Sequence, residues 1–185
     1  MKVRVISGYL KNRTISVPKK IELFRPTMEK VRGAVADYLN DSINGAVVAD
    51  LCAGSGAFGI EMVSRGAKYV YFIENNRLLC RNLKKYIQFF DIGKKCSIIN
   101  KDIRKYLKTL RKKVNIIYFD PPYNDAELSE IVPELMSFIT KDGIVIVERM
   151  RRSRGLFSSR SNDFFIESRN YGKTIIDFYK NNISI

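Results

Sequence analysis

The sequence contains no histidine, and its three cysteines, Cys52, Cys80 and Cys96, are odd in number and far apart. The chain therefore lacks the commonest general base and the commonest metal ligand, and three scattered thiols form no Cys/His ligand set. No metal is expected, and the thiols read as reduced residues in or near the core. Nothing approaches 18 consecutive apolar residues, and the N-terminus opens on charged residues in a β-like alternation instead of a signal h-region. A membrane partner is not expected, and the expected location is the cytoplasm. Chemistry must rest on carboxylates, backbone groups or the reactivity of a cofactor.

Acidic residues are also scarce: 19 Asp and Glu stand against 33 Lys and Arg, a formal net charge of +14 spread along the whole chain. This is the balance of a protein whose partner is a polyanion, with nucleic acid the first candidate. The plain alternative is a coding bias toward Lys, Ile and Asn, which does not account for Arg4, Arg13, Arg25 and Arg32 crowded ahead of the first core strand. At 185 residues and 45% apolar, the chain is expected to be one domain with a core of its own, and a monomer.

Residues 1–45 form an extension. Residues 3–6 and 14–17 read as a small basic hairpin, with Gly8 and Asn12 as turn signals. A linker over 19–26 follows, and Thr27 is the expected N-cap of a helix from 28 to about 39, whose Val31, Val35, Tyr38 and Leu39 share a stripe. The extension is either an arm over RNA or cofactor, with Arg25 and Arg32 as phosphate ligands, or a helix that its arginines merely solvate. From residue 46 to 185 strands alternate with helices: strands at 47–51, 69–74, 97–99, 114–119 and 144–148, and helices ending at 65 and covering 76–90, 103–110 and 126–139, the last interrupted by Pro133. Such alternation predicts a parallel, doubly wound sheet. Residues 164–168 and 174–179 are joined by a link too short for a crossover helix and predict an antiparallel hairpin.

Asp120-Pro121-Pro122-Tyr123 follows the apolar run 114–119, so it lies where a buried strand ends. Two prolines fix two φ angles and remove two amide donors, leaving a stiff turn that presents a carboxylate, free carbonyls and an aromatic ring. A planar group bearing an exocyclic amine fits it: the amine donates to the Asp120 carboxylate and the Pro121 carbonyl while Tyr123 covers the ring. A nucleobase answers this description. The same tetrapeptide is also an ordinary way to stop a strand.

Upstream, 50–59 ends the first core strand and opens a helix, and Gly54, Gly56 and Gly59 match the spacing G-x-G-x-x-G, with Glu74 about 20 residues beyond the turn. A dinucleotide site shares these features. Asp50 just before the turn disfavours a pyrophosphate and suits a ligand carrying an ammonium group, which points to S-adenosylmethionine. Glu74 would then accept both ribose hydroxyls, and Asp102 the adenine N6 amine, with the Ile103 amide facing the ring. Capping and turn formation are the alternative roles of Glu74 and Asp102.

The glycine turn, Glu74 and the DPPY turn together resemble a class I S-adenosylmethionine-dependent amino-methyltransferase. The opening 5–13, with Arg25-Pro26-Thr27 and Val31-Arg32, is similar to the RsmD family of bacterial methyltransferases, and the likeness extends to Tyr171-Gly172. The resemblance implies a Rossmann-like α/β fold whose seven-stranded mixed sheet has the order 3-2-1-4-5-7-6, with helices on both faces. It also implies methylation of the N2 amine of one guanine in 16S ribosomal RNA, free or in an assembling small subunit. The residues it places about the cofactor are Asp50, Cys52, Ala53, Gly54, Gly56, Glu74, Asn75, Asp102, Ile103 and Asp120. Asp120, Pro121, Pro122 and Tyr123 carry the transfer, and Arg4, Arg13, Arg25, Thr27 and Arg32 are candidates for RNA contact. Adenine N6 or protein glutamine methylation is the nearer alternative, a nicotinamide oxidoreductase or a non-catalytic RNA-binding module the more distant ones.

Overall fold

Short apolar runs separated by amphipathic stretches make strands joined by crossover helices. The computed structural model describes residues 2–17, 28–109, 112–121, 131–151 and 163–181. The chain divides into two compact units, Met1–Lys108 and Thr109–Ile185.

The first unit opens with an antiparallel hairpin of β1 (Lys2–Arg4) and β2 (Thr14–Ser16), in which Val3 pairs with Ile15. The strands are shorter than expected, but the Val5 amide still donates to the Arg13 carbonyl at 2.8 Å and the Asn12 amide to the Val5 carbonyl at 2.9 Å. Helix α1 (Glu29–Leu39) has Met28 at its N-cap position, with no side-chain cap. Thr27, the expected cap, lies outside the described residues. Three parallel strands follow, β3 (Val47–Leu51), β4 (Tyr69–Ile73) and β5 (Cys96–Ile99). Helix α2 (Ala57–Ser64) links the first two, α3 (Arg77–Phe89) the next two, and α4 (Ile103–Leu107) follows β5. Every residue of α2 is buried. It can lie that close to the sheet because residue 59 is glycine: a Cβ there would be 2.2 Å from Cε1 of Phe72.

The second unit contains β6 (Val114–Phe119), α5 (Val132–Met136), β7 (Ile139–Met150), β8 (Phe165–Tyr171) and β9 (Thr174–Lys180). Pro133 does not interrupt a helix, as the sequence suggested. It sits in the first turn of α5, where a missing amide N–H leaves no bond unmade. Strand β7 begins five residues earlier than expected. β8 and β9 form the expected hairpin, with a tighter turn at Gly172 (φ +67°) and Lys173. The strand order is β5-β4-β3-β6-β7-β9-β8, which counted from β3 is the expected 3-2-1-4-5-7-6, and β9 is antiparallel to both β7 and β8. No helix among the described residues is long and apolar enough to cross a membrane.

Candidate active site

In the first unit β3, β4 and β5 end level with one another: Leu51 pairs with Ile73, and Ile73 with Ile99. The segments leaving these strands therefore emerge at one edge, the carboxyl edge at which open α/β sheets bind ligands. This register brings the glycine turn, Glu74, Asn75 and Asp102 to a common edge.

The turn after β3 is held in an unusual backbone conformation. Cys52, Gly54 and Gly56 all have positive φ, at 60°, 57° and 73°, and for Cys52 this is a conformation that side chains disfavour. The Ala53 amide donates to the Ile73 carbonyl at 2.9 Å, and the Gly56 amide to the Ala53 carbonyl at 2.7 Å. Gly54 donates to Glu74 Oε2 at 2.7 Å, while Asn76 donates to Glu74 Oε1 at 2.8 Å. One carboxylate thus closes the loop against the end of β4, and each oxygen keeps a lone pair for a further donor. Asn100 supports it from β5: its Nδ2 donates to the Glu74 carbonyl at 2.9 Å and to the Asn75 carbonyl at 3.0 Å. A side chain at residue 56 is excluded, since its Cβ would be 2.4 Å from Leu83 Cδ1.

Asp50 is oriented into the fold. It is 2% exposed and accepts from the Gly59 amide at 3.0 Å, tying the end of β3 to the first turn of α2. Burial pushes its carboxyl well above the ordinary value, the Gly59 amide pulls it back, and the Glu74 charge raises it further. Asp102 caps α4, accepting from the Arg104 amide at 3.0 Å, with the Arg104 guanidinium 3.9 Å from its other oxygen. The capping role weighed from the sequence is therefore present. Ile103 is buried, and Cys52 and Ala53 are half-buried. Among the described residues no cluster of three or more His, Cys, Asp or Glu could hold a metal ion.

In the second unit Asp120 is half-buried and Pro121 buried, immediately after β6. Pro122 and Tyr123 lie outside the described residues, as do Arg25 and Thr27. Of the other arginines, Arg4 and Arg13 are exposed, and Arg4 pairs with Glu29 at 3.0 Å. Arg32 corrects the expectation of a phosphate ligand. It is 0% exposed, donates to the Arg4 carbonyl at 2.5 Å and has Glu61 Oε2 3.9 Å from its Nε, so it holds the interior together and cannot meet RNA.

The model of the family described as conserved hypothetical protein 95 matches residues 3–180. The ribosomal RNA small subunit methyltransferase D of Buchnera aphidicola (subsp. Acyrthosiphon pisum) is 31% identical over 153 residues, covering 82% of this chain and 80% of that protein. The chain belongs to the RsmD family. A second relative, the putative rRNA methyltransferase YlbH of Bacillus subtilis, is 26% identical and covers 96% of this chain and 98% of its own length. The fold recurs in a putative methyltransferase from Escherichia coli, with a TM-score of 0.81 at 24% identity and 97% of each chain covered. A putative methylase from Haemophilus influenzae gives 0.79 at 22%, covering 98% of this chain and 99% of that one.

In this RsmD-family chain the sequence reasoning missed two residues beside the predicted ones. Asn100, two positions before Asp102, ties β5 to the backbone of Glu74 and Asn75. Glu148 is the other: Phe119 pairs with Val147, so Glu148 follows the last paired residue of β7 on the side where β6 gives way to Asp120, while β7 runs on to Met150. Glu148 is buried and accepts from the Tyr118 hydroxyl at 2.5 Å. A glutamate closing the apolar run 144–147 was the available signal.

Proposed function

We propose that this chain transfers the methyl group of S-adenosylmethionine to the exocyclic N2 of a guanine in small-subunit ribosomal RNA, acting in the cytoplasm on free RNA or an assembling particle. The observation that carries the reading is Glu74, a carboxylate at the ligand edge that locks the glycine turn through Gly54 and still has acceptor capacity for a ribose. The residues present fit the cofactor. Gly56 lets the turn pack directly on Leu83 of α3 at a positive φ, and Glu74, Asn75 and the Asp102–Ile103 segment supply acceptors and an apolar wall along one edge. Asp50 acts from behind, holding α2 in place through Gly59, in place of the direct ammonium contact first expected of it.

When bound, S-adenosylmethionine supplies a methyl made electrophilic by its sulfonium, so neither metal nor covalent enzyme chemistry is needed. The protein's task is to position the acceptor. Guanine N2 is a weak nucleophile because its lone pair is delocalised into the ring. Hydrogen bonds from N2 to the Asp120 carboxylate and the Pro121 carbonyl orient the amine and stabilise positive charge growing there as the methyl arrives. Pro122 holds the turn rigid, and Tyr123 stacks on the extruded base, offsetting its unstacking by about 1–3 kcal/mol. Arg4, Arg13, Arg25 and Thr27 contribute to RNA contact.

The test is transfer of labelled methyl groups to 16S ribosomal RNA and small-subunit particles from cells lacking this protein, followed by nucleoside analysis. Label in N2-methylguanosine is expected. Label in N6-methyladenosine, or in protein, would replace the proposed substrate. Asp120→Ala should abolish transfer while leaving S-adenosylmethionine binding largely intact, and normal turnover by that variant would remove the role given to the carboxylate.

A further inference from the structure

Not every exposed aromatic of the first unit belongs to the ligand edge. Helix α3 leaves the carboxyl end of β4 and runs back to the amino end of β5, so Phe89 and the 3-10 turn Gly93–Lys95 lie at the opposite edge of the sheet. The hairpin turn reaches the same edge. The Tyr9 amide donates to the carbonyl of Ser64, the last residue of α2, at 3.0 Å, and the Leu10 amide donates to Ser64 Oγ at 2.9 Å. Glu61 accepts from the Ile6 and Ser7 amides at 2.8 and 3.0 Å. On the other side Asn82 Nδ2 of α3 donates to the Ser16 carbonyl at 3.1 Å. The hairpin is therefore a fixed part of the unit.

On this rigid platform the Tyr9 ring is 57% exposed, with the Lys95 ammonium 4.9 Å from its centroid. Phe89 is 66% exposed and flanked by the rings of Tyr86 and Phe90, at 6.5 and 5.5 Å, while Lys85 lies 6.0 Å from the Tyr86 ring. Single exposed apolar residues are common and mean little alone. Here they sit in a strongly one-sided field: residues 2–17 carry four basic and no acidic side chains, and residues 77–95 carry six basic and one acidic. Aromatic faces spaced among lysines on a fixed scaffold match a single strand of nucleic acid, whose bases stack while its phosphates meet the cations.

We infer that the hairpin turn and the end of α3, with Tyr9, Phe89, Lys85, Lys94 and Lys95, form a second RNA-docking surface, separate from the methyl-transfer edge, that holds a single-stranded segment of the ribosomal RNA away from the modified base. Strands of four to five residues separate the two edges by roughly 15 Å, so a base stacked on Tyr9 cannot be the base that is methylated. The surface acts on affinity and placement of the RNA. It rests on the rRNA reading for the identity of its occupant.

The experiment compares wild type with Tyr9→Ala, Phe89→Ala and the double variant K94E/K95E, all at exposed positions. Small-subunit particles lacking the modification serve as substrate, and filter binding to deproteinised 16S RNA is measured in parallel. K94E/K95E is expected to raise KM for the particle and Kd for the RNA about tenfold and to lower the salt slope of binding by about two, one for each lost phosphate contact. Its kcat and its affinity for S-adenosylmethionine should not change. Tyr9→Ala and Phe89→Ala should each weaken RNA binding severalfold at an unchanged salt slope. A photocrosslinker at residue 9 should capture RNA outside the methylated nucleotide's neighbourhood. Unchanged KM, Kd and salt slope in K94E/K95E, or crosslinks to ribosomal protein alone, would overturn the surface. Should wild type methylate no RNA, the proposed function fails by itself, and loss of RNA binding in K94E/K95E would still establish the docking surface.

Discussion

Glu61 is the residue on which the placement of the N-terminal hairpin turns, and replacing it by glutamine measures that. Its carboxylate is 0% exposed and accepts from Ile6 N, Ser7 N and Arg65 Nε at 2.8, 3.0 and 3.0 Å, with the equally buried Arg32 at 3.9 Å. Glutamine keeps the shape but removes the charge and puts an NH2 where one of these donors points, while Arg32 stays charged in the interior. Breaking a buried pair by removing one partner costs about 3–5 kcal/mol. In a chain of this length each kcal/mol lowers Tm by about 2–4 °C, so Glu61→Gln should melt roughly 10 °C below wild type. The exposed Arg4–Glu29 pair is the internal control, because solvent screens it: Glu29→Gln should shift stability by less than about 1 kcal/mol. Replacing both buried partners, as in E61M/R32M, should lose less than the sum of the two single changes, because neither charge is left unpaired, while the Ile6 and Ser7 amides still lack their acceptor. Thermal melts and limited proteolysis within residues 2–17 provide the readout. If Glu61→Gln melts with Glu29→Gln, or if the double variant loses the sum of the two singles, the buried pair is not what fixes the hairpin.

Three further outcomes are expected. Burial raises the folded pKa of Asp50 above its ordinary 3.8, so the folded state holds that proton more tightly, and the resulting stability is full below about pH 3.8 and lost as pH rises through the raised value. Asp50→Asn, which still offers Gly59 an oxygen, should therefore melt above wild type at neutral pH and converge with it in acid, and parallel curves would contradict this. Gly59→Ala should lose about 1–3 kcal/mol and weaken S-adenosylmethionine binding in calorimetry, because its Cβ would overlap Phe72 and lift α2; a wild-type melt would show that the helix yields at no cost. Burial pushes the Cys96 thiol up to about 11, and burial and then the Glu74 charge raise that of Cys80, so at pH 8 a disulfide reagent should label Cys52 first, more slowly with S-adenosylmethionine present. Equal labelling of Cys96 in the folded protein would refute the assignment.

Much of the fold was legible because its signals are local. The alternation of strand and helix, the short link before Thr174 and the positive-φ turns at Gly8, Asn12, Gly54 and Gly56 all follow from residues close in sequence. Arg32 shows where such reasoning stopped. It lies three and four residues before Val35 and Ala36, on the apolar face of α1, yet an arginine near the N-terminus of a basic chain reads as a surface cation. Only the packing of α1 against α2 supplies Glu61 and makes burial tolerable. Asp50 was misjudged for a related reason, since its acceptor role is taken by an amide nine residues on, in a helix whose closeness to the sheet depends on Gly59.

By itself the sequence determined the class of fold, the terminal hairpin and the residue types offered to a cofactor, because periodicity, turn chemistry and glycine spacing act over a few residues, whereas the strand order came from the family resemblance. Tertiary structure alone decided which charges face inward. Burying Arg32 with Glu61, tying Asp50 to Gly59 and closing the loop at Gly54 with Glu74 are each set by partners 9 to 29 residues away. No local pattern encodes such pairing, because the cost of burying a charge depends on what the completed fold places beside it.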